Sequence, residues 1–231
     1  MLARTEIAVA FHPLHEHLAA KIPKVCPEKT AEGYKDKWLE SQVRKHPVYQ
    51  KVHPDQHHLV RPLGLYFDGT PFTRRESFVG VFVNDLLSGE KILICVLRKQ
   101  QLCQCGCRGF CSIAVVQFFL VWCMKALEIG EYPKHRPDFQ PWTALDKRRQ
   151  QLAGQSLGVW GALIEIRGDW PELNQQLGFK PWNSLTPCPF CDCTLENMSS
   201  WRALLYFVFL PLVGMPIGQA MRQRVFPGLP P

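Results

Sequence analysis

The sequence predicts an α+β fold: a three-stranded antiparallel meander, a core helix, then a fourth strand, with zinc tying the framework together. Three observations predict it. Three short strand-like segments follow one another between residues 62 and 99, the first alternating apolar with small or polar residues and the next two rich in β-branched or aliphatic ones. A long apolar segment follows at 112–130. Two cysteine groups, "LCQCGCRGFC" at 102–111 and "PCPFCDC" at 187–193, flank the helix and the fourth strand along the chain.

The first strand is "LGLYFDG", in which Leu63, Leu65 and Phe67 alternate with Gly64, Tyr66 and Asp68, the period of a half-buried strand. The second is "SFVGVFVND" (77–85), rich in β-branched and aromatic residues, which suit a pleated surface. "LLSG" makes a turn into the third, "EKILICVLRK" (90–99). Short connections make successive strands antiparallel neighbours. "SIAVVQFFLVWCMKALEIG" (112–130) reads as a helix packed on this sheet, with Gly130 near its C-cap. Its uninterrupted apolar runs look too short to span a bilayer. A connector rich in proline and basic residues covers 131–157, and "VWGALIEI" (159–166) is the fourth strand. Within the connector, Lys147, Arg148 and Arg149 read as a solvated basic face.

Before the meander, "EKTAEGYKDKWLESQVRKHP" (28–47) reads as a polar helix ended near Pro47. His53, His57 and His58 crowd the segment that follows. Pro54 argues against a helix that would bring two of them onto one metal, so a solvated loop is expected. The expected organisation is an N-terminal extension over 1–61, the main domain over 62–200 and an apolar tail over 201–231. Residues 203–218 carry no charge but hold two prolines and two glycines. A docked tail is favoured there, with membrane association as the alternative.

Composition narrows the class. Of 231 residues, 46% are apolar and 20% charged, which is globular and not disordered. The net charge of +7 permits DNA or RNA as a partner without requiring either. Arg4 and Glu6 interrupt the N-terminal segment, so no secretory signal is read there. The expected compartment is the nucleus or cytoplasm, where clustered thiols indicate a metal more than disulfides.

Zinc takes four ligands tetrahedrally, and thiolate is a soft ligand suited to it. Cys188 and Cys191 have the C-x-x-C spacing of a zinc knuckle, stiffened by Pro187 and Pro189. Upstream, Cys103, Cys105, Cys107 and Cys111 offer several pairings, and Gly106 and Gly109 relieve crowding around an ion. The economical arrangement is one structural zinc held by two upstream cysteines with Cys188 and Cys191. Two ions are the alternative, with Cys193 a spare. Isolated Cys26, Cys95 and Cys123 fit buried core thiols instead.

The pieces "LYFDGT", "ILICVLRK" and "LIEIRGDWPE" follow the order strand, strand, strand, helix, strand, with an acid ending the first strand and another after the fourth. Over about residues 62–200 the chain resembles the ribonuclease-H-like superfamily in its transposase and retroviral-integrase branch. The wording of the cysteine loop is also similar to that of a large set of dinoflagellate proteins. The first resemblance implies a transposon-derived protein acting on nucleic-acid phosphodiesters, with its activity either retained or lost. It would use paired magnesium ions held by Asp68 and Asp169, with Glu196 the best-placed third acid. Oxygen ligands suit magnesium, and two close ions polarise the attacking and leaving oxygens. Each acid also has a plainer reading. Asp68-Gly69 is a favoured turn pair, and Asp169 with Glu172 has the spacing of a helix capping box. The alternative function is a non-enzymatic, zinc-stabilised binding or scaffold module.

Overall fold

The computed structural model describes residues 8–22, 36–71, 73, 76–106 and 109–168. Its elements in chain order are α1 (Leu14–Lys21), α2 (Lys37–Lys45), α3 (Pro47–Lys51), β1 (Val60–Pro71), β2 (Ser77–Asp85), β3 (Glu90–Arg98), α4 (Phe110–Ile129), α5 (Lys147–Leu152) and β4 (Trp160–Gly168). The architecture is α+β, with one mixed four-stranded sheet in the order β3-β2-β1-β4. The short connections make β1–β2 and β2–β3 hairpins, and β2–β3 is antiparallel. The parallel step of this mixed sheet is therefore β1–β4, reached through α4 and the connector.

The strands follow the expected order, with adjusted ends. β1 begins at Val60, ahead of Pro62, because a missing ladder donor is tolerated near a strand's start. β3 stops at Arg98 and β4 runs to Gly168. The polar helix expected over 28–47 is seen as α2, which ends at Lys45 just ahead of Pro47; residues 28–35 lie outside the described residues. Pro47 opens α3 at a first-turn position, where its absent N–H costs nothing. His46 caps that helix: its Nδ1 accepts from the Val48 N–H at 3.2 Å. Burial, then Lys51, lowers the pKa of His46, a shift in the direction that suits this acceptor role. The histidine loop is a 3-10 turn, Pro54–Leu59. His53 lies 3.4 Å from Asp55, and His57 stacks on Tyr49 at 3.8 Å, so neither is turned to a shared ion.

The described residues fall into two compact units. One holds 8–12, 64–116 and 165–168; the other holds 13–22, 36–63 and 117–164. In the first, Val79, Val81 and Val83 are fully buried, with Leu65, Phe67, Ile92, Ile94 and Leu97 beside them. The register slips between Val81 and Phe82. The extra residue on β3 shifts its alternation by one, which is why Ile94 and Cys95 are buried in succession. Asp85 is wholly buried, and its Oδ1 accepts from the Leu87 and Ser88 N–H groups at 3.1 and 3.4 Å. That shapes the turn ending at Gly89, whose φ is +73°.

In the second unit, α4 packs on β4. A Cβ on Gly161 would lie 2.8 Å from Leu63 Cδ1 and 3.0 Å from Leu127 Cβ, so only glycine lets strand and helix approach this closely. Gly130 ends α4 in the left-handed region at φ +79°, as the sequence expects. The 20-residue α4 corrects one expectation: by length and composition it is apolar enough to cross a membrane. In this fold more than half of its apolar window is buried, as in a core helix. The connector is not structureless, since it contains α5. Arg149 on α5 is not merely solvated: its Nε donates to Glu16 Oε1 of α1 at 2.6 Å.

His15 on α1 is 1% exposed, its ring edge-on to Trp122 at a centroid distance of 4.8 Å. Burial, opposed by Glu16 and aided by Arg149, lowers its pKa from 6.5 to about 4. The unfolded chain takes up this proton below 6.5, whereas the native chain resists it until about 4. The resulting stability is full above 6.5 and lost as pH falls toward 4. Urea denaturation should show about 2 kcal/mol less stability at pH 5 than at pH 7 from this residue. His15→Gln should flatten that dependence; an unchanged slope contradicts the assignment.

Candidate metal centre

The candidate centre forms where β3 hands over to α4, within the first unit. After Arg98 the chain makes a 3-10 turn over Lys99–Gln101, and Leu102 is buried as an anchor. The Cys103 N–H then donates to Ser112 Oγ at 2.9 Å, closing the loop onto the first turn of α4. Gly106 has φ +92° and Gly109 φ +88°. No atom lies within 4 Å of a Cβ built on Gly106, so glycine is needed there for its backbone angle and not for space. The Gly109 carbonyl accepts from the Ser112 and Ile113 N–H groups at 3.0 and 3.1 Å, which starts the helix. Cys111 thus stands in the first turn, where the helix's partial positive charge favours an anionic sulfur.

The result is convergence. The Sγ atoms of Cys103, Cys105 and Cys111 all lie within 4.8 Å of one another, and Cys105 and Cys111 are 3.9 Å apart. Four sulfurs at about 2.3 Å around a tetrahedral ion sit about 3.8 Å from one another. Cys103 is half-buried and the other two are exposed. Among the described residues this is the one group of three or more cysteine, histidine or carboxylate ligands that converges. Three upstream sulfurs come together where the economical arrangement needs two. Cys107, Cys188, Cys191 and Cys193 lie outside the described residues.

Cys95 and Cys123 behave differently. Both are buried, and burial pushes both thiols up to about 12. They are core residues, as their isolation in the sequence suggests; Cys26 lies outside the described residues.

Asp68 is half-buried on β1, alternating with the buried Leu65 and Phe67. Asp169 and Glu196 lie outside the described residues, as do Glu172 and the tail at 203–218. Arg98 and Lys99 sit at the end of β3 and the turn after it. One acidic residue was missed by the sequence reading. Glu165 on β4 lies against β1: a Cβ on Gly64 would sit 2.8 Å from its Oε1. Its Oε2 accepts from Arg167 Nη2 at 2.8 Å, while its Oε1 lies 2.8 Å from Arg167 Nε without forming a hydrogen bond, an ion pair along one strand face. The i,i+2 spacing of Glu165 and Arg167 in "IEIRG" is the signal that could have found the pair.

No family model, curated protein or solved structure matches this chain.

The contrast among thiols is directly measurable. Brief iodoacetamide treatment of the native protein with a chelator present should label Cys105 and Cys111 and spare Cys95 and Cys123, as read by peptide mass spectrometry. Equal labelling of all four would contradict the burial described above.

Proposed function

We propose that this chain is a non-enzymatic, zinc-stabilised binding module in which Cys103, Cys105 and Cys111 supply three thiolates to one structural ion. The observation that carries this reading is the approach of their sulfurs to within 4.8 Å. Three close sulfurs with no histidine or carboxylate in the group match a soft, closed site more than a catalytic one, which keeps an open position. One further thiolate completes the tetrahedron, and Cys107, Cys188 and Cys191 are the candidates. A ligand from the distant pair would close a loop between the start of α4 and the chain beyond β4, an entropic gain that grows with loop length. The net charge of +7 fits a nucleic acid as the partner bound.

Elemental analysis of purified protein should find about one zinc per chain. The Cys105→Ser, Cys111→Ser double variant should lose it, and chelation should lower the melting temperature of the parent protein. A parent chain free of metal and unmoved by chelator overturns the reading.

A second reading is supported by strand adjacency. A two-acid nuclease site of the ribonuclease-H type needs the first and fourth strands side by side, and β1 neighbours β4 here. Asp68 near the end of β1 and Asp169 just past β4 would then hold magnesium at one end of a parallel pair, with Glu196 as the third acid. Under this reading the protein cleaves DNA or RNA only with magnesium, and Asp68→Ala reduces cleavage at least a hundredfold while the fold survives. Cleavage that persists in Asp68→Ala refutes the assignment, and no cleavage by the parent chain leaves the binding module alone standing.

A further inference from the structure

Phe139 occupies a place that its chemistry does not explain. It lies in the connector between α4 and α5, in a three-residue loop, Pro137-Asp138-Phe139. The loop is closed on both sides: the Phe139 N–H donates to the Arg136 carbonyl at 3.0 Å, and the Arg136 N–H donates to the Gln140 carbonyl at 2.9 Å. The Asp138 carboxylate accepts from the Gln140 N–H at 3.1 Å. A closed loop of this length calls for a left-handed residue at its third position, and glycine is the usual occupant. Here the position is filled by phenylalanine at φ +63°, the one non-glycine with positive φ among the described residues. The residue is 62% exposed, so burial does not offset the strain. An aromatic ring that is strained and solvated at once is accounted for if it meets a partner.

The surroundings indicate which partner. The His135 ring lies 5.3 Å from Phe139, tilted by 42°, which extends the π surface. The base of the loop is fixed by two indoles: Trp122 Nε1 donates to the His135 carbonyl at 3.0 Å and Trp142 Nε1 to the Pro133 carbonyl at 3.3 Å. The ring is therefore presented on a rigid support, which lowers the entropy lost on binding. Residues 134–149 carry five cations (Lys134, Arg136, Lys147, Arg148, Arg149) against two anions (Asp138, Asp146). Lys134 pairs with Glu131 at 3.5 Å and Arg136 with Asp138 at 3.2 Å, both on the surface. Such exposed pairs are weak and exchange readily for phosphate. Lys147 and Arg148 are exposed and enter no ion pair among the described residues.

We propose that the Phe139 loop is a binding surface for single-stranded nucleic acid. A base stacks on the Phe139 ring while Lys134 and Arg136 beside the loop contact the backbone phosphates, with Lys147 and Arg148 farther along the connector as additional cations for a longer strand. Base–aromatic stacking needs no sequence readout, because every base has a π face. The inference rests on the binding-module reading and names the class of its partner; it involves no cysteine and no acid of the nuclease reading, so lost oligonucleotide binding with zinc retained is distinguishable from failure of the metal site.

The test uses the full chain and fluorescein-labelled 15-nucleotide oligothymidylate and oligouridylate, followed by anisotropy at several salt concentrations. The parent protein should bind, with affinity falling steeply as salt rises. Phe139→Gly should weaken binding about tenfold or more, the scale of one lost stack. Because glycine suits the left-handed position, that variant should melt at or above the parent temperature with unchanged zinc content. Phe139→Trp should retain binding, and Lys147→Glu with Arg148→Glu should weaken it and flatten the salt dependence. Binding by Phe139→Gly equal to the parent's would overturn the proposal. So would no binding at low salt, or capture by phosphatidylserine vesicles while both oligonucleotides are ignored.

Discussion

Three sulfur atoms crowded at one helix start set the terms for the rest of the molecule. As thiolates, Cys103, Cys105 and Cys111 would repel one another; as thiols, they would leave weak donors exposed with little holding them together. A divalent cation resolves both problems, because soft sulfur ligands and a tetrahedral ion satisfy each other. The position matters as much as the chemistry. The loop joins the edge strand β3 to α4, the long helix whose far end packs on β4 through Leu127 and Gly161. The loop therefore sets how β3 hands over to the first turn of α4, within one compact unit. The hydrogen bond from Cys103 to Ser112 and the two left-handed glycines begin that handover before any ion is considered.

The carboxylates tell a less unified story. Asp68 and Glu165 lie on neighbouring strands, but Glu165 is already engaged by Arg167 and pressed against Gly64. A carboxylate held by a guanidinium is a poor candidate for a shared magnesium, since its charge is partly spent. The sheet order permits the nuclease-like arrangement, while the convergence of ligands occurs at the cysteines. That difference is why the binding module is the first reading and hydrolysis the second.

Much of the scaffold was legible because strand and helix periods are local properties. The alternation of Leu63, Leu65 and Phe67, and the valines of "SFVGVFVND", announce their strands without tertiary help. The bulge at Val81 and Phe82 was not legible, because register depends on the partner strand. The bounds of α4 were legible, but its membrane-spanning length was not, because Gln117 and Lys125 interrupt its apolar runs although a helix is read by its whole length. In the cysteine loop, spacing pointed to a group of candidate ligands but not to which sulfurs meet; that depends on the backbone angles at Gly106 and Gly109. Phe139 escaped notice because a proline-rich connector hides a left-handed turn, and His15 because its burial comes from residues far along the chain, Trp122 and Tyr132.

The claim that organises this account is that sulfur alone surrounds a bound ion at the head of α4. X-ray absorption at the zinc edge of the purified protein measures that environment directly. The account predicts a first shell of sulfur at about 2.3 Å with no nitrogen or oxygen component. A shell of nitrogen and oxygen at about 2.0–2.2 Å would place the metal elsewhere and contradict it.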